Sequence, residues 1–276
     1  MPTLYDQELG PVFFVDFADD IARRAAAAAP LHVLEIAAGT GIVSRRLRDL
    51  LPAAAHLVVT DLNPAMLDVA RGKFGPEEGV ACQIADAIAL PFQDGGYDAV
   101  VCQFGVMFFP DKKKAYQEAY RVLAAGGRYL FNVWDSIDHN PLNRLVTDVA
   151  AGFCPADPPR IFQVPVAYHR IDPIRDLLDT VGFTDVKISV VGVQKTIADI
   201  AAFSQSLVYG GPLLGELRAR RRPRPGGRRP RRGDAARVRP QFHAHPPPGN
   251  RIRDAAAVAG PRAAVLAVAA AVCASS

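Results

Sequence analysis

A carboxylate followed by two closely spaced glycines is the first chemically suggestive pattern in this 276-residue chain. The run Val33-Leu34-Glu35-Ile36-Ala37-Ala38-Gly39-Thr40-Gly41 is an apolar stretch that ends in a turn. Gly39 and Gly41 permit a tight turn and let a ligand approach the backbone closely. A helix starting near residue 42 aims its unpaired N–H groups at the same spot. Dinucleotide sites share such a turn, but two details separate the readings. The third glycine of the dinucleotide fingerprint is replaced by Ser44, and Glu35 stands at the strand end. A carboxylate there repels a pyrophosphate and suits a ligand that carries an ammonium group. Asp61 follows Gly41 by twenty residues and closes a second apolar run. A carboxylate at that place can accept from both hydroxyls of a ribose. Asp86 ends a third run. It can accept from an adenine amino group while the next backbone N–H, at Ala87, donates to the ring, although an aspartate there also fits a loop cap. Gln103 and Phe104 end a fourth run and are expected to floor the site.

These residues need a scaffold that brings four strand ends together. Apolar runs at 31–37, 56–61, 80–85, 97–103, 128–134 and 183–193 read as strands. Helical patterns at 12–29, 42–51, 64–72, 111–123, 141–153, 171–181 and 198–217 alternate with them. Pro30 ends the first helix, Pro64 opens the third, and Asn63 suits its N-cap better than Asp61 does. Asp111 is an N-cap, Gly126-Gly127 reads as the stop of the helix it opens, and Gly182 stops the 171–181 helix. Alternation of this kind predicts an α/β fold with a doubly wound, mostly parallel sheet buried on both faces. Ligands in such sheets sit at the carboxyl ends of the strands, which is where Glu35, Asp61, Asp86 and Gln103 fall.

Taken in order, Glu35-x-Ala37-x-Gly39-x-Gly41, Asp61, Asp86-Ala87 and the 97–105 segment resemble the class I S-adenosylmethionine-dependent methyltransferases. Among these, the chain most resembles the small-molecule group that includes the ubiquinone and menaquinone C-methyltransferases. The resemblance covers residues 1–215 and implies a Rossmann-like methyltransferase fold with S-adenosylmethionine as cofactor. It implies cofactor-binding roles for Glu35, Ala37, Gly39, Gly41, Asp61, Leu62, Asp86, Ala87 and Gln103. The family pattern often has glycine where Ala37 stands; alanine is a minor departure provided that its φ is not positive. The implied reaction is in-line displacement of the sulfonium methyl by a small-molecule acceptor, for which orientation alone can supply roughly 7–11 kcal/mol. No residue must act as a base; His139, after the fifth strand, is a candidate, set against a plain loop histidine. Trp134, Phe104, Tyr5 and the Phe13-Phe14 pair are candidates for the pocket wall, and the pair fits a core role equally well.

Composition narrows the partners. Fourteen of the 32 basic residues and two of the 28 acidic ones fall from Arg218 onward. That leaves 18 basic against 26 acidic residues before it, a body of −8 and a tail of +12. An acidic body argues against nucleic-acid binding by the folded domain. The four cysteines are not at metal-ligand spacing and suit a reducing cytoplasm. Cys82 and Cys102 read as core residues, and Lys112-Lys113-Lys114 as a solvated helix face. The opening residues lack a signal-peptide pattern. The most apolar late stretch, Ala263 to Ala274, is too short for a membrane span, which needs roughly 20 residues.

These observations divide the chain into a methyltransferase domain at 1–217 and a tail at 218–276. Arg, Ala, Pro and Gly make up 42 of the last 59 residues, a low-complexity composition expected to be disordered. It matches what a GC-rich gene yields when read out of frame. Read one base later, residues 241–254 can encode a strand-like segment ending Ala-Ile-Val-Phe-Glu. A fold of this class needs a seventh strand, so the expectation is that this strand is missing and a sheet edge unpaired. The alternative is a genuine basic tail that binds nucleic acid or anionic membrane. Two rival functions remain: cofactor binding without turnover, and an NAD(P)-dependent oxidoreductase.

Overall fold

The computed structural model describes residues 2–153, 160–197, 199, 203, 206–207 and 263–271. Alternating strands and helices build one seven-stranded sheet of order β3-β2-β1-β4-β5-β7-β6. Its parallel part comprises β1 (His32–Glu35), β2 (His56–Asp61), β3 (Val80–Ile84), β4 (Tyr97–Gln103) and β5 (Leu123–Trp134). β6 (Val186–Val193) and β7 (Ala263–Ala271) complete it, with β7 antiparallel to both β5 and β6. The order reverses at β1, from which the chain winds outward to β2 and β3 and then to β4 and β5. That reversal is the switch point at which doubly wound sheets bind ligands.

Alternate residues of each central strand enter two separate cores. Val33, Leu57, Val59, Ala99, Val101 and Leu130 meet α3 (Val15–Ala26), α4 (Ile42–Leu50) and α5 (Pro64–Arg71) on one face. Leu34, Val100, Cys102, Tyr129 and Phe131 meet α6 (Lys112–Val122) and α8 (Ile171–Val181) on the other. Burial on both faces is why β1 and β4 read as continuous apolar runs rather than as alternating ones. Helix α7 (Pro141–Phe153) follows β5.

Several local readings hold. Asp111 Oδ1 accepts from Lys114 N at 2.9 Å, and Asn63 Oδ1 accepts from Ala65 N at 3.0 Å, so both residues cap their helices. Gly182, at φ 113°, ends α8 in the left-handed conformation. Cys102 is buried.

Others are corrected. The first helix is not continuous over 12–29. A short helix α1 (Pro2–Leu4), a wider π-type turn (Tyr5–Leu9) and α2 (Gly10–Phe13) precede α3, with an irregular residue at Phe14 that still bonds to Gly10 O and accepts from Ala18 N. The Gly126-Gly127 pair does not stop α6. The helix ends at Val122 and β5 starts at once, with the glycines inside a register irregularity opposite Tyr97. A glycine pair reads the same in sequence as a helix stop or as a strand irregularity. Lys112 is not part of a solvated face: its amine donates to the Phe109 carbonyl at 3.0 Å and lies 4.9 Å from the Tyr168 ring centroid.

The expectation of a missing seventh strand is also overturned. Ala263–Ala271 pairs with β5 from Arg128 to Trp134 and with β6 from Val186 to Val193, so the expected open edge of β5 is covered. Composition hid it: nine residues suffice for a strand between two neighbours, and the alanines around Val265, Leu266 and Val268 mark low complexity rather than a strand. The 198–217 helix and the tail up to residue 262 lie outside the described residues, except that Phe203, Ser206 and Leu207 are helical.

Candidate active site

The turn after β1 is built on positive φ angles. Ala37, Gly39 and Gly41 have φ of 54°, 57° and 78°. At Gly41 a Cβ would lie 2.8 Å from Ala70 Cβ, so close approach of α5 demands glycine. At Gly39 a Cβ would meet nothing within 4 Å, so that side of the turn opens on space for a ligand. The condition set for Ala37 fails, because its φ is positive. An L-residue there costs roughly 1–2 kcal/mol. Its methyl fits only because residue 105 is glycine: a Cβ on Gly105 would lie 2.6 Å from Ala37 Cβ and 2.7 Å from Cys102 Sγ.

Glu35 is 1% exposed at the end of β1. Its Oε2 is a buried atom without a hydrogen-bond partner among the described residues, as are Thr40 Oγ1 and Ser44 Oγ beside the same turn. Burial pushes the Glu35 carboxyl up to about 8; the Ser44 hydroxyl pulls it down, Asp61 adds to the rise, and the Lys73 ammonium opposes it. Native folds seldom leave buried polar atoms unpaired. Glu35 Oε2 and Thr40 Oγ1 at one turn, beside open space at Gly39 and with Ser44 close enough to act on Glu35, fit a polar ligand bearing an ammonium. That is the donor set the amino-acid end of S-adenosylmethionine presents.

Asp61 braces the site. Its Oδ2 accepts from Gly39 N and its Oδ1 from Asn63 N, both at 2.8 Å. Each oxygen keeps a second lone pair for a ligand hydroxyl. Leu62, next in sequence, is 66% exposed, an apolar side chain beside the same strand end. Asp86 Oδ1 accepts from Ile88 N at 3.1 Å, the loop-cap arrangement, and Ala87 is buried. Both follow β3 at the carboxyl edge shared with Asp61, which pairs with Ile84.

Gln103, at the end of β4, is engaged by two groups of the protein. Its amide donates to the Phe14 carbonyl at 3.2 Å and accepts from Asn132 Nδ2 at 3.4 Å. Gln103 thus ties α3's entry to the sheet. Asn132, which sequence reading passed over, holds Phe104 N through its Oδ1 at 3.0 Å. Its signal was a polar residue inside the apolar run Tyr129-Leu130-Phe131-Asn132-Val133-Trp134.

An aromatic wall stands beside this floor. Phe104, at φ 50°, stacks on Trp134 with centroids 4.2 Å apart and planes 7° apart. Phe17 meets both edge-on at 5.4 and 5.6 Å. Phe13 meets Trp134 at 6.4 Å, and Phe14 bridges Phe104 to Tyr5. Tyr5 is close enough to the acids that Asp61 and Asp6, after burial, raise its phenol above the ordinary range. His139, on a turn after β5, is largely exposed; its Nδ1 lies 3.0 Å from Asp135 Oδ2 and 3.4 Å from Ser136 Oγ. Nε2 then points away from that carboxylate. A separate shallow cleft, lined by His32, His56, Pro91, Phe92 and Tyr97, opens at the opposite, amino end of the strands.

A doubly wound sheet whose switch point carries a glycine turn, a buried acid and a second strand-end acid defines the class I methyltransferase fold. Residues 33–127 match the family model described as a methyltransferase domain. Among its relatives, the demethylmenaquinone methyltransferase of Thermus thermophilus is 45% identical over 102 residues, covering 36% of this chain and 46% of that protein. The ubiquinone/menaquinone biosynthesis C-methyltransferase UbiE of Methylobacterium nodulans is 35% identical over 126 residues, covering 45% of this chain and 50% of that one. The chain thus spans about half the length of the relatives it matches. Among solved structures, phosphoethanolamine N-methyltransferase 2 of Haemonchus contortus, in complex with S-adenosyl-L-methionine, shares the fold at TM-score 0.56 and 15% identity. The match covers 98% of this chain and 56% of that one. The YcgJ protein of Bacillus subtilis does so at 0.51 and 20%, over 69% of this chain and 77% of that one.

Proposed function

We propose that this chain binds S-adenosylmethionine and transfers its methyl group to a small-molecule acceptor. The observation that carries the reading is the buried, unpartnered Glu35 Oε2 beside the open side of Gly39. When bound, the cofactor supplies a methyl already activated on a sulfonium. The protein's residues hold and orient. Glu35 takes the ammonium, with Ala37, Gly39 and Gly41 lining the amino-acid end. Asp61 accepts from the ribose hydroxyls, Leu62 covers one adenine face, and Asp86 with the Ala87 N–H reads the adenine edge. Gln103 acts indirectly, by fixing Phe14 and Asn132 and through them Phe104.

We take a planar aromatic acceptor as the substrate class; Phe104 and Trp134 are buried and stacked on each other, so they stiffen the wall behind the site. The names of the relatives, demethylmenaquinone and ubiquinone/menaquinone methyltransferases, support the same choice. We assign the proton-accepting role to His139 Nε2, with Asp135 holding the opposite ring nitrogen, an arrangement that orients an imidazole for base catalysis. The thiols of Cys82 and Cys102 are free, which supports a cytoplasmic setting, and no helix among the described residues is long and apolar enough to cross a membrane. The acidic body supports a small-molecule rather than a nucleic-acid partner. A domain boundary at residue 217 is part of this proposal, with Ala263–Ala271 counted with the sheet it joins.

Calorimetric titration of S-adenosylhomocysteine into the purified chain, with NADH as control, tests the reading. Micromolar binding with NADH silent is the expected result. A folded protein that binds NADH instead, or neither ligand, refutes it. Binding without turnover over a panel of quinols and phenols would move the assignment to a cofactor-binding protein.

A further inference from the structure

We propose that Asn132, near the end of β5, is a positioning residue for the cofactor: it holds Phe104 at positive φ and, through Gly105, sets the Ala37 turn. The inference rests on the cofactor reading of the Glu35–Asp61 cleft.

Asn132 is 2% exposed, in a strand whose neighbouring residues Leu130, Phe131, Val133 and Trp134 are buried and apolar. A buried amide costs stability unless its hydrogen bonds are made. This one makes them at the end of β4. Its Oδ1 accepts from Phe104 N at 3.0 Å, nearer than its own backbone carbonyl at 3.2 Å, and its Nδ2 donates to Gln103 Oε1 at 3.4 Å.

The residue so held is an outlier. Phe104 has φ 50°, a region that bulky residues rarely enter. Such conformations persist where the surroundings over-determine them, and they cluster at ligand sites. Here the Asn132 clamp and the stack on Trp134 act together.

The turn at Phe104 carries Gly105 against the cofactor turn. A Cβ on Gly105 would lie 2.6 Å from Ala37 Cβ, and Ala37 is itself at φ 54°. Two left-handed residues therefore meet across one glycine that has no room for a methyl. A shift of Phe104 and Gly105 toward β1 is passed to Ala37, two residues before the ligand-facing Gly39. Contacts from Asn132 through Phe104 and Gly105 to Ala37 thus join the end of β5 to the cofactor turn, across β4.

The test uses the full chain with four variants: Asn132→Leu, Asn132→Asp, Ala37→Gly and the Asn132→Leu/Ala37→Gly double. Ile174→Val, in a buried position on α8, controls for lowered stability. S-adenosylhomocysteine affinity is measured by calorimetry. The near-UV circular dichroism of Trp134, the chain's one tryptophan, reports on the Phe104 stack. Asn132→Leu is expected to weaken binding roughly fivefold, the scale of one hydrogen bond, and to change the Trp134 band. Asn132→Asp keeps an acceptor for Phe104 N and should bind within about twofold of the parent. Ile174→Val should alter neither readout.

The decisive comparison is the double variant. Removal of the Ala37 methyl gives the displaced turn room, so adding Asn132→Leu to Ala37→Gly should cost less than about twofold in affinity. A merely structural Asn132 would weaken both backgrounds equally, and that result overturns the proposal. So does parent-like affinity in a folded Asn132→Leu protein. Should Asn132→Leu fail to fold, Asn132→Ser, which shortens the side chain and withdraws the acceptor, decides by the same readouts. Should the parent bind no S-adenosylhomocysteine, the cofactor reading fails. The Trp134 band and the same cycle read by thermal unfolding then decide whether Asn132 sets the Ala37 turn.

Discussion

Gly39 N donates to Asp61 Oδ2 at 2.8 Å, so the glycine turn after the first strand is held by the acid that ends the second. One carboxylate therefore shapes the cleft and offers its remaining lone pairs to whatever enters.

Replacing Asp61 by alanine removes the turn's brace and the proposed ribose acceptor together. Hydrogen bonds to charged groups are worth about 1.5–3 kcal/mol each. Calorimetry is expected to show S-adenosylhomocysteine affinity reduced at least tenfold, with thermal unfolding shifted downward. Unchanged affinity would place the ribose elsewhere.

Glu35 makes stability depend on pH with a definite sign. Its carboxyl rises from 4.5 to about 8 on folding, so the folded state favours the neutral acid. The contribution is fully present below the unfolded value and is lost as pH climbs through about 8. Chemical denaturation between pH 5 and pH 9 is expected to show stability falling in the parent chain. Glu35→Gln should flatten this component, and an equal slope in both proteins contradicts it.

The same group predicts proton release when the cofactor binds. An ammonium arriving beside Glu35 favours its ionised form, so near pH 7 the carboxyl gives up a proton. Titrations of S-adenosylhomocysteine in buffers of different ionisation enthalpy should show this release, and affinity should tighten as pH rises toward 8. No buffer dependence would mean that Glu35 is not the ammonium partner.

Ala37 carries strain that a single change relieves. Ala37→Gly frees the positive φ and is expected to stabilise the fold by up to about 1 kcal/mol after the entropy penalty of glycine. Gly105→Ala drives a methyl into Ala37 and Cys102 and is expected to destabilise by roughly 1–3 kcal/mol. The double variant should recover part of that loss. Additive effects would refute the contact.

His139→Ala separates binding from chemistry. A positioned base contributes typically 10²–10⁴-fold, so turnover on a phenolic acceptor should fall by about that factor while S-adenosylhomocysteine binding stays unchanged. Full activity would return His139 to an ordinary loop.

Much of the site was legible because its demands are local. A strand-end acid, two glycines and a second acid twenty residues on are set by backbone geometry and ligand charge, and both can be read from residue types. The partner of Asn132 and the Asp6–Lys73 pair were not legible, since each contact joins residues far apart in sequence that only the folded chain brings together.

By itself, the sequence determined the parallel sheet, the five strands that carry the site and the place where they converge, because apolar period and turn chemistry act over a few residues. Tertiary structure alone decided three things. It set the positive φ at Ala37, which depends on a glycine in another loop. It also set the raised Glu35 carboxyl, since desolvation is a property of surroundings rather than of residue type. And it placed Ala263–Ala271 between β5 and β6, where two neighbours with open hydrogen-bonding edges select a strand that composition hides.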